Sequence, residues 1–316
     1  MRITVLAGGV GAARFLRGLK AAARDAEITV IGNTGDDITL SGLRVCPDLD
    51  TVMYTLGGGI NEEQGWGRAA ESFTVQRELA AYGAVPGWFA LGDRDIATHI
   101  VRARMLAAGS PLSAVTEELC RRWQPGVRLL PMSDEPVETH VVIEEDGSRR
   151  SIHFQEWWVR LHAKVPALEI TPAGVERARP APGVIEAISA ADVVLFPPSN
   201  PVVSIGPILA VPGIRAAVSA KTVVGVSPII GGAPVRGMAD ACLTAIGVQT
   251  SAAAVAAHFG AGLLGGWLVD EQDKAAADDP ALTGIAVRAL PLYMRDLAST
   301  TEIAAAALGL AAEIRA

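Results

Sequence analysis

ITVLAGGVGAARFLRGLKAAARDAEITVI, residues 3–31, is the stretch that decides the fold. Its pattern predicts, in order, a strand over 3–7, a glycine turn over 8–11, a helix over 12–23 and a strand over 28–31. A strand, a helix and a second strand in this order form a βαβ unit. Such a unit implies a parallel sheet whose crossover is right-handed.

Strands and helices continue to alternate along the rest of the chain. Apolar runs predict further strands over 88–91, 192–196, 223–226 and 266–269. Helical spacing and helix end signals predict helices over 50–56, 68–83, 96–108, 111–123, 236–246 and 303–314. The fold class is therefore α/β, a Rossmann-like parallel sheet with helices on both faces.

Residues 137–160 differ from this pattern. The β-formers of 139–144 and 151–158 flank Asp146-Gly147, a favoured hairpin turn. We place them in a smaller inserted α+β subdomain over 125–180, so that residues 1–124 and 181–316 form the core.

Composition excludes several classes of protein. Of 316 residues, 34 are acidic and 27 basic, which gives a net charge of -7, and half are hydrophobic. The high apolar fraction excludes disorder of the whole chain, and the lack of basic clusters argues against a nucleic-acid partner.

The three cysteines are far apart, which argues against a disulfide framework. Prolines and glycines interrupt the long uncharged runs, and no signal peptide pattern opens the chain. We therefore expect a cytoplasmic protein outside the membrane.

Polar and small residues follow most of the predicted strands. These sets are Gly8 to Gly11, Asn33 to Asp37, Gly92 to Asp95, Ser199-Asn200-Pro201 and Ser227-Pro228. The carboxyl ends of parallel strands meet at one edge of a sheet, where ligands bind. We therefore expect these sets to converge on one site.

The glycine turn admits two interpretations. Gly8, Gly9 and Gly11 would let the backbone approach a phosphate at the start of the helix, or they would form an ordinary tight turn. The Gly-Lys-Ser/Thr ending of a Walker A loop is missing. Arg14 takes the place of the third glycine of a dinucleotide fingerprint, and Asn33 replaces the acidic residue that would hold an NAD ribose.

Asp48 and Asp50 lie in the segment Cys46-Pro47-Asp48-Leu49-Asp50-Thr51, and Asp36 and Asp37 precede it. Carboxylates beside a phosphate site commonly hold Mg²⁺, and one of them can also accept a proton from an attacking hydroxyl. The structural alternative is that Asp48 or Asp50 caps a helix.

Two further segments have a functional and a structural interpretation. In Gly92-Asp93-Arg94-Asp95, with His99 one turn later, Arg94 would clamp a phosphate or join an internal Arg–Asp network. In residues 153–160, strand alternation would put Phe154, Glu156 and Trp158 on one face and Trp157 on the other. These aromatics would stack on a flat ring or form the core of the subdomain.

Eight segments together resemble the 2-phospho-L-lactate transferase family of coenzyme F420 biosynthesis, called CofD in archaea and FbiA in actinobacteria. They are LAGGVGAARFLRGL, GNTGDD, RVCPDLDTVMYTLGGG, GWFALGDRDIATH, RLLPMSDEPVETHV, IHFQEWWVR, PSNPVVSIGPIL and SPIIGGAPVRGMAD, between residues 6 and 240. The sequence is particularly similar to the actinobacterial branch. Ala12 stands where the family pattern suggests a second glycine after Gly11.

The resemblance implies a Rossmann-like fold, a homodimer, a requirement for Mg²⁺ and a specific reaction. A phospho-acid group would pass from a guanosine diphosphate-linked donor, carrying enolpyruvate or lactate, to the ribityl hydroxyl of the deazaflavin Fo, and GMP would leave.

The resemblance also assigns roles to residues. Gly8, Gly9, Gly11 and Asn33 would contact the donor phosphates, and Ser199, Asn200, Pro201, Ser227 and Pro228 would line the guanosine. Asp50, with Asp37 or Asp48, would hold the metal, or Asp50 would orient or deprotonate the hydroxyl. Arg94, with Asp93 and His99, would contact Fo or the transferred phosphate, and Trp157 or Trp158 would cover the deazaflavin.

Two rival functions remain at this point. An NAD-dependent oxidoreductase is disfavoured by Arg14 and Asn33, at the positions where a dinucleotide site needs other residues. A non-catalytic nucleotide-binding or regulatory protein is disfavoured by the intact Pro-Asp-Leu-Asp and Gly-Asp-Arg-Asp segments.

Overall fold

A computed structural model describes residues 1–84 and 87–316 of the chain. Its strands are β1 (Arg2–Ala7), β2 (Glu27–Gly32), β3 (Ile38–Leu40), β4 (Leu43–Val45), β5 (Arg128–Pro131), β6 (Glu138–Glu145), β7 (Ser148–His153), β8 (Glu169–Ala173), β9 (Val193–Phe196), β10 (Val223–Val226), β11 (Ile229–Ile230), β12 (Ala233–Pro234), β13 (Gly266–Val269) and β14 (Ala286–Ala289). Its α-helices are α1 (Gly9–Ala22), α2 (Pro47–Leu56), α3 (Thr74–Ala81), α4 (Asp93–Ala107), α5 (Leu112–Trp123), α6 (Val184–Ala190), α7 (Gly206–Ala210), α8 (Ile214–Ser219), α9 (Ala239–Ala245), α10 (Ala252–Phe259) and α11 (Leu297–Arg315).

Within the described residues, the central sheet has seven strands in the order β14-β13-β10-β9-β1-β2-β5. All of its neighbouring strands pair in parallel. The inner strands β9, β10 and β13 are buried along their whole length, as expected for short apolar strands covered on both faces. The predicted Rossmann-like α/β class is confirmed.

Helices cover both faces of this sheet. On one face, α1, α2, α5 and α11 contribute to one apolar core, and on the other face α6, α8, α9 and α10 contribute to a second. The packing of α1 on α11 is close, since a Cβ on Gly18 would lie 2.4 Å from the carbonyl oxygen of Thr300. Helix α11 has the length and hydropathy of a membrane span, but its residues Ile303, Ala307 and Leu310 are buried in the core, as in a helix of a folded domain.

The chain reverses the direction in which it adds strands at β1. It first runs from β1 to β2 and β5, and it then returns to β9 on the opposite side of β1. The helices that follow β1 and β9 therefore lie on opposite faces of the sheet, and the crevice outside the carboxyl ends of these two strands is the switch point where open α/β sheets bind ligands.

The inserted subdomain is a three-stranded antiparallel sheet in the order β7-β6-β8. Its residues Val141, Ile152, Phe154 and Trp157 belong to a small apolar core that also includes residues of the main domain, namely Val203, Met238 and Cys242. The boundary differs from the expected residue 125, because β5 pairs in parallel with β2 as the edge of the central sheet. Arg128–Pro131 is short and ends in proline, so its sequence carried no strand signal.

Three predicted elements differ in the structure. No strand forms over 88–91, where Trp88 and Phe89 lie half-buried in a turn. The helix expected over 68–83 is confined to Thr74–Ala81. The strand expected over 151–158 ends at His153, and the chain continues as a π-helical turn over Glu156–Arg160, so the predicted alternation of aromatic faces is wrong beyond that point.

Candidate active site

The loops after β1 and β9 pack directly on each other at the switch point. A Cβ on Gly11 would lie 2.2 Å from the carbonyl oxygen of Pro198, and a Cβ on Gly8 would lie 2.5 Å from Cβ of Ser204. The Ser199 hydroxyl donates to the carbonyl oxygen of Gly8 at 2.9 Å. Both glycines are therefore needed for the approach of the two loops, and they place the start of α1 at the floor of the crevice.

Asp48 links this turn to the neighbouring loop. Its buried carboxylate accepts hydrogen bonds from the N–H of Gly9 at 2.7 Å and from Nδ2 of Asn33 at 2.9 Å. Asn33 Nδ2 also donates to the carbonyl oxygen of Val203 at 3.1 Å, and its Oδ1 accepts from the N–H of Gly35 at 2.9 Å. The predicted donor-side residues Gly9 and Asn33 thus lie together, with Asp48 between them.

Asp36 and Asp37 follow on the same loop and are buried. Burial and the nearby Asp48 raise the pKa of Asp36 well above its ordinary value. Burial raises the pKa of Asp37 to about 6, although Arg44, which donates to Oδ2 at 2.9 Å, and the Cys46 thiol act against the rise. Burial likewise raises the pKa of Asp48 to about 6. Two carboxyls on this loop and that of Asp48 at the start of α2 thus lie close together, and an additional positive charge would stabilise their ionised forms.

The inserted subdomain holds the backbone of this loop. The N–H of Thr139 donates to the carbonyl oxygen of Gly35 at 2.6 Å, and Nε2 of His153 lies 3.0 Å from the carbonyl oxygen of Asp37. Gln155 Nε2 donates to the carbonyl oxygen of Asp36 at 3.4 Å. The subdomain therefore fixes the position of the aspartates through their main chain.

Asp50 faces a different environment from Asp48, although both lie in the first turn of α2. Its carboxylate forms an ion pair with Arg102, which is 1% exposed. Burial lowers the pKa of Arg102, but the charge of Asp50 outweighs this effect and raises it. Arg102 also donates to Nδ1 of His99 at 3.0 Å, and Nε2 of His99 lies 3.5 Å from Asp95. Asp50 is thus part of a buried charge network that runs along α4.

This network also explains what sequence inspection missed. Arg102 was not among the candidate residues, although Asp95, His99 and Arg102 are spaced four and three residues apart and so share one face of α4. That spacing, with Asp50 in the facing helix, was the available signal. His99 is fully buried and contacts other residues of the network, so it lies behind Asp50.

The fit of the site to Mg²⁺ can be judged from the carboxylates. Within residues 1–84 and 87–316, no three His, Cys, Asp or Glu side chains form a group that would hold a metal by themselves. In that same part of the chain, Asp36 Oδ1 and Asp37 Oδ1 are buried without a hydrogen-bond partner. Mg²⁺ is usually bound by one or two carboxylates together with substrate phosphates, and these two oxygens suit that arrangement. Asp50 Oδ2 is also without a partner there, and Asp37 and Asp50 each pair with an arginine through their other oxygen, whereas Asp36 forms no ion pair in that part of the chain.

Asp93 and Arg94 lie at the start of α4, and their roles differ from the expected ones. The Asp93 carboxylate accepts from the hydroxyl of Ser72 at 2.7 Å and from the N–H groups of Thr74 and Val75. It therefore caps α3. Arg94 is exposed, and it lines a cavity of about 620 Å³ together with Arg68, Arg122 and Trp123, among other residues.

Trp157 is fully buried in the core of the inserted subdomain. Its indole N–H donates to the carbonyl oxygen of Val165 at 2.7 Å, and its ring packs 6.0 Å from that of Phe154. It presents no free face to a ligand, whereas Trp158 is half-buried. The structural interpretation of this aromatic segment therefore holds for Trp157.

The remaining predicted donor residues follow β9 and β10. The side chain of Asn200 accepts from the N–H groups of Val202 and Val203 and caps the π-helical turn over Pro201–Ile205. The Ser227 hydroxyl donates to the carbonyl oxygen of Ile229 at 2.8 Å, and Pro228 is half-buried beside it. These residues shape the loops at the carboxyl edge of the sheet.

Known proteins similar to this chain identify its family. Residues 3–284 match the family 2-phospho-L-lactate transferase CofD. The chain is 68% identical over 318 residues to a phosphoenolpyruvate transferase of Streptomyces griseus, with full coverage of both. It is 69% identical over 323 residues to a phosphoenolpyruvate transferase of Thermobifida fusca, covering 100% of this chain and 99% of that one.

A solved structure supports the fold. Protein BH3568 of Bacillus halodurans, a member of the UPF0052 family, matches with a TM-score of 0.63 at 20% identity, over 97% of this chain and 99% of that one. The family match and the named relatives show that the chain is a transferase enzyme. This protein belongs to the 2-phospho-L-lactate transferase CofD family of F420 biosynthesis.

Proposed function

We propose that this enzyme transfers a phosphoenolpyruvyl group from a guanosine diphosphate-linked donor to the ribityl hydroxyl of Fo. The products would be GMP and dehydro-F420-0. The observation that carries the proposal is the group of buried aspartates, Asp36, Asp37 and Asp48, packed against the glycine turn at the switch point. The names of the relatives favour an enolpyruvyl donor over a lactyl donor.

The donor would bind in the crevice outside the carboxyl ends of β1 and β9, against the packed loops that follow them. Asp48 already takes the N–H of Gly9, so the donor phosphates would meet the next N–H groups of the first turn of α1, at Val10 and Gly11. Ser199, Asn200, Pro201, Ser227 and Pro228 would form the guanosine side through the loops that they shape.

Asp36 and Asp37, with Asp48 beside them, would hold Mg²⁺ together with the donor phosphates. When bound, the metal offsets the negative charge that develops on the transferred group and on the leaving GMP. The buried position of these carboxylates excludes water and strengthens their interaction with any cation. The loop is held by the inserted subdomain, so the carboxylates are oriented before the donor arrives.

Asp50 would act on the acceptor. Its Oδ2 is buried and has no hydrogen-bond partner within the described part of the chain, so it can accept a hydrogen bond from the ribityl hydroxyl and then its proton. Arg102 pairs with the other oxygen and orients the carboxylate. Arg94 would contact the acceptor from its cavity beside Trp123, and Trp158 is better placed than Trp157 to meet a flat ring.

We further place the enzyme in the cytoplasm, as a homodimer, on the basis of the family resemblance. The burial of α11 in the core is consistent with this placement.

Mass analysis of the product tests the proposed function. Purified enzyme is incubated with Fo, Mg²⁺ and either the enolpyruvyl or the lactyl donor, since the two products differ by two hydrogen atoms. We expect dehydro-F420-0 from the first donor and loss of transfer in excess EDTA. Binding of GDP without any product would support the non-catalytic alternative, and thermal stabilisation by NAD but not GDP would support an oxidoreductase.

A further inference from the structure

Two arginines that no part of the proposed mechanism uses come together beside the glycine turn. Arg14 lies on α1, on the face that also carries Val10 and Arg17. Arg236 follows β12 and reaches the same place, because a Cβ on Gly65 would lie 2.7 Å from Cγ1 of Val10 and 3.0 Å from Nη1 of Arg236. Arg236 therefore lies beside the first turn of α1, one helical turn before Arg14, and the charge of Arg14 acts on it.

The loop over 61–67 holds this pair in place. Arg17 pairs with Glu62 at 2.6 Å, and Arg236 donates to the carbonyl oxygen of Gln64. The guanidinium of Arg236 also lies 5.0 Å from the centre of the Trp66 ring. The loop is thus attached both to α1 and to the segment that follows β12.

The fold balances the positive charge of the pair only in part, because the one carboxylate near Arg14, that of Glu62, is already paired with Arg17. Arg17, on the same helix face, has Glu62 as its partner, but within residues 1–84 and 87–316 neither Arg14 nor Arg236 forms an ion pair with an acidic side chain. Burial and the charge of Arg14 both lower the pKa of Arg236. Three arginines, Arg14, Arg17 and Arg236, thus lie near a single carboxylate, and the net positive potential that remains would be relieved by an anion.

We propose that Arg14 and Arg236 form a clamp for the diphosphate of the nucleotide donor. Two guanidinium groups offer paired N–H donors in the planar geometry that suits phosphate oxygens. Asp48 contacts the first residue of α1, the helix that carries Arg14, so the diphosphate would contact the arginines close to the cation that the aspartates would hold. The inference rests on the proposed function, because that function supplies the diphosphate.

Binding measurements test the clamp separately from the reaction. Calorimetric titrations with inorganic pyrophosphate, GDP and guanosine would compare the wild-type enzyme with Arg14→Met, Arg236→Met and the double variant. Arg215→Met, which removes an exposed arginine on α8, is the matched control. Arg236→Lys keeps the charge and removes the planar fork.

We expect each single substitution to weaken pyrophosphate and GDP binding about tenfold or more, as for loss of a hydrogen bond to a charged group. Guanosine binding should not change, and Arg236→Lys should restore part of the affinity. Equal pyrophosphate affinity in the wild type and the double variant would overturn the clamp, as would wild-type enzyme that binds no pyrophosphate. If pyrophosphate binding depends on both arginines but no guanine nucleotide binds, the clamp stands and the proposed donor is wrong.

Discussion

The carboxylate of Asp48 accepts a 2.7 Å hydrogen bond from the N–H of Gly9 and so ties the first turn of α2 to the first turn of α1. We predict that Asp48→Ala destabilises the protein by about 1–3 kcal/mol for each buried donor left unpaired, one on Gly9 and one on Asn33. Transfer should also fall sharply. Urea unfolding measures the first effect, with the exposed Asp240→Ala as control. An unchanged unfolding midpoint would contradict the structural role.

The ion pair between Asp50 and Arg102 predicts strong coupling between the two positions. Each single variant, Asp50→Leu or Arg102→Met, leaves a buried charge without its partner, and should lose about 3–5 kcal/mol of stability. The double variant should be more stable than the sum of the single losses predicts, because neither charge remains. A double-mutant cycle by urea unfolding gives the coupling energy. Simple additivity would show that the pair contributes no specific interaction.

The burial of Trp157 predicts a loss of stability without a loss of substrate affinity. Trp157→Ala should cost about 3–5 kcal/mol, because it opens a cavity and leaves the Val165 carbonyl unpaired. Trp157→Phe keeps most of the packing and should cost less. For the proposed acceptor Fo, the KM of the folded Trp157→Phe enzyme should equal that of the wild type. A large rise in this KM would contradict the prediction and show that Trp157 contributes to binding of the acceptor.

The cap that Asp93 provides for α3 predicts an acid-dependent stability difference. Hydrogen bonds from Ser72, from the Val75 N–H and from Thr74 lower the pKa of Asp93 to about 2 in the folded protein. The ionised carboxylate therefore stabilises the fold above its unfolded pKa of 3.8, and this contribution is lost as the pH falls toward 2. The Tm of Asp93→Ala should lie below that of the wild type at pH 7, and the gap should narrow below about pH 4. A constant gap would mean that the carboxylate charge has no part in the cap.

The inner strands of the sheet could be predicted from sequence. A strand that is buried on both faces needs a short, continuous apolar run, and such runs are easy to recognise. Val193–Phe196 and Val223–Val226 are examples, and the structure confirms both. The edge strands β5 and β14 are partly exposed and mixed in composition, so no periodicity marks them. Trp88 and Phe89 looked like a strand but lack a neighbouring strand to pair with in the described structure.

The location of the site was predictable, but the partners of its side chains were not. Glycine and aspartate at strand ends indicated the carboxyl edge of the sheet. Nothing local to Asp48 or Asp50 showed that one would bind a backbone N–H and the other a buried arginine 52 residues away. Those choices depend on which helix faces are brought together, and this is decided by packing over the whole chain.

The crevice is built from segments that lie far apart in the sequence. This separation determines when the site can form during synthesis of the chain. Asn33 donates to Val203 across 170 residues, and Ser199 donates to Gly8 across 191. A chain still being synthesised can form its first βαβ unit early, but the donor side of the crevice does not exist until residues near 203 have emerged. Under the proposed function, the enzyme therefore becomes active late in its synthesis, and a truncated translation product that ends before β9 would bind no nucleotide donor.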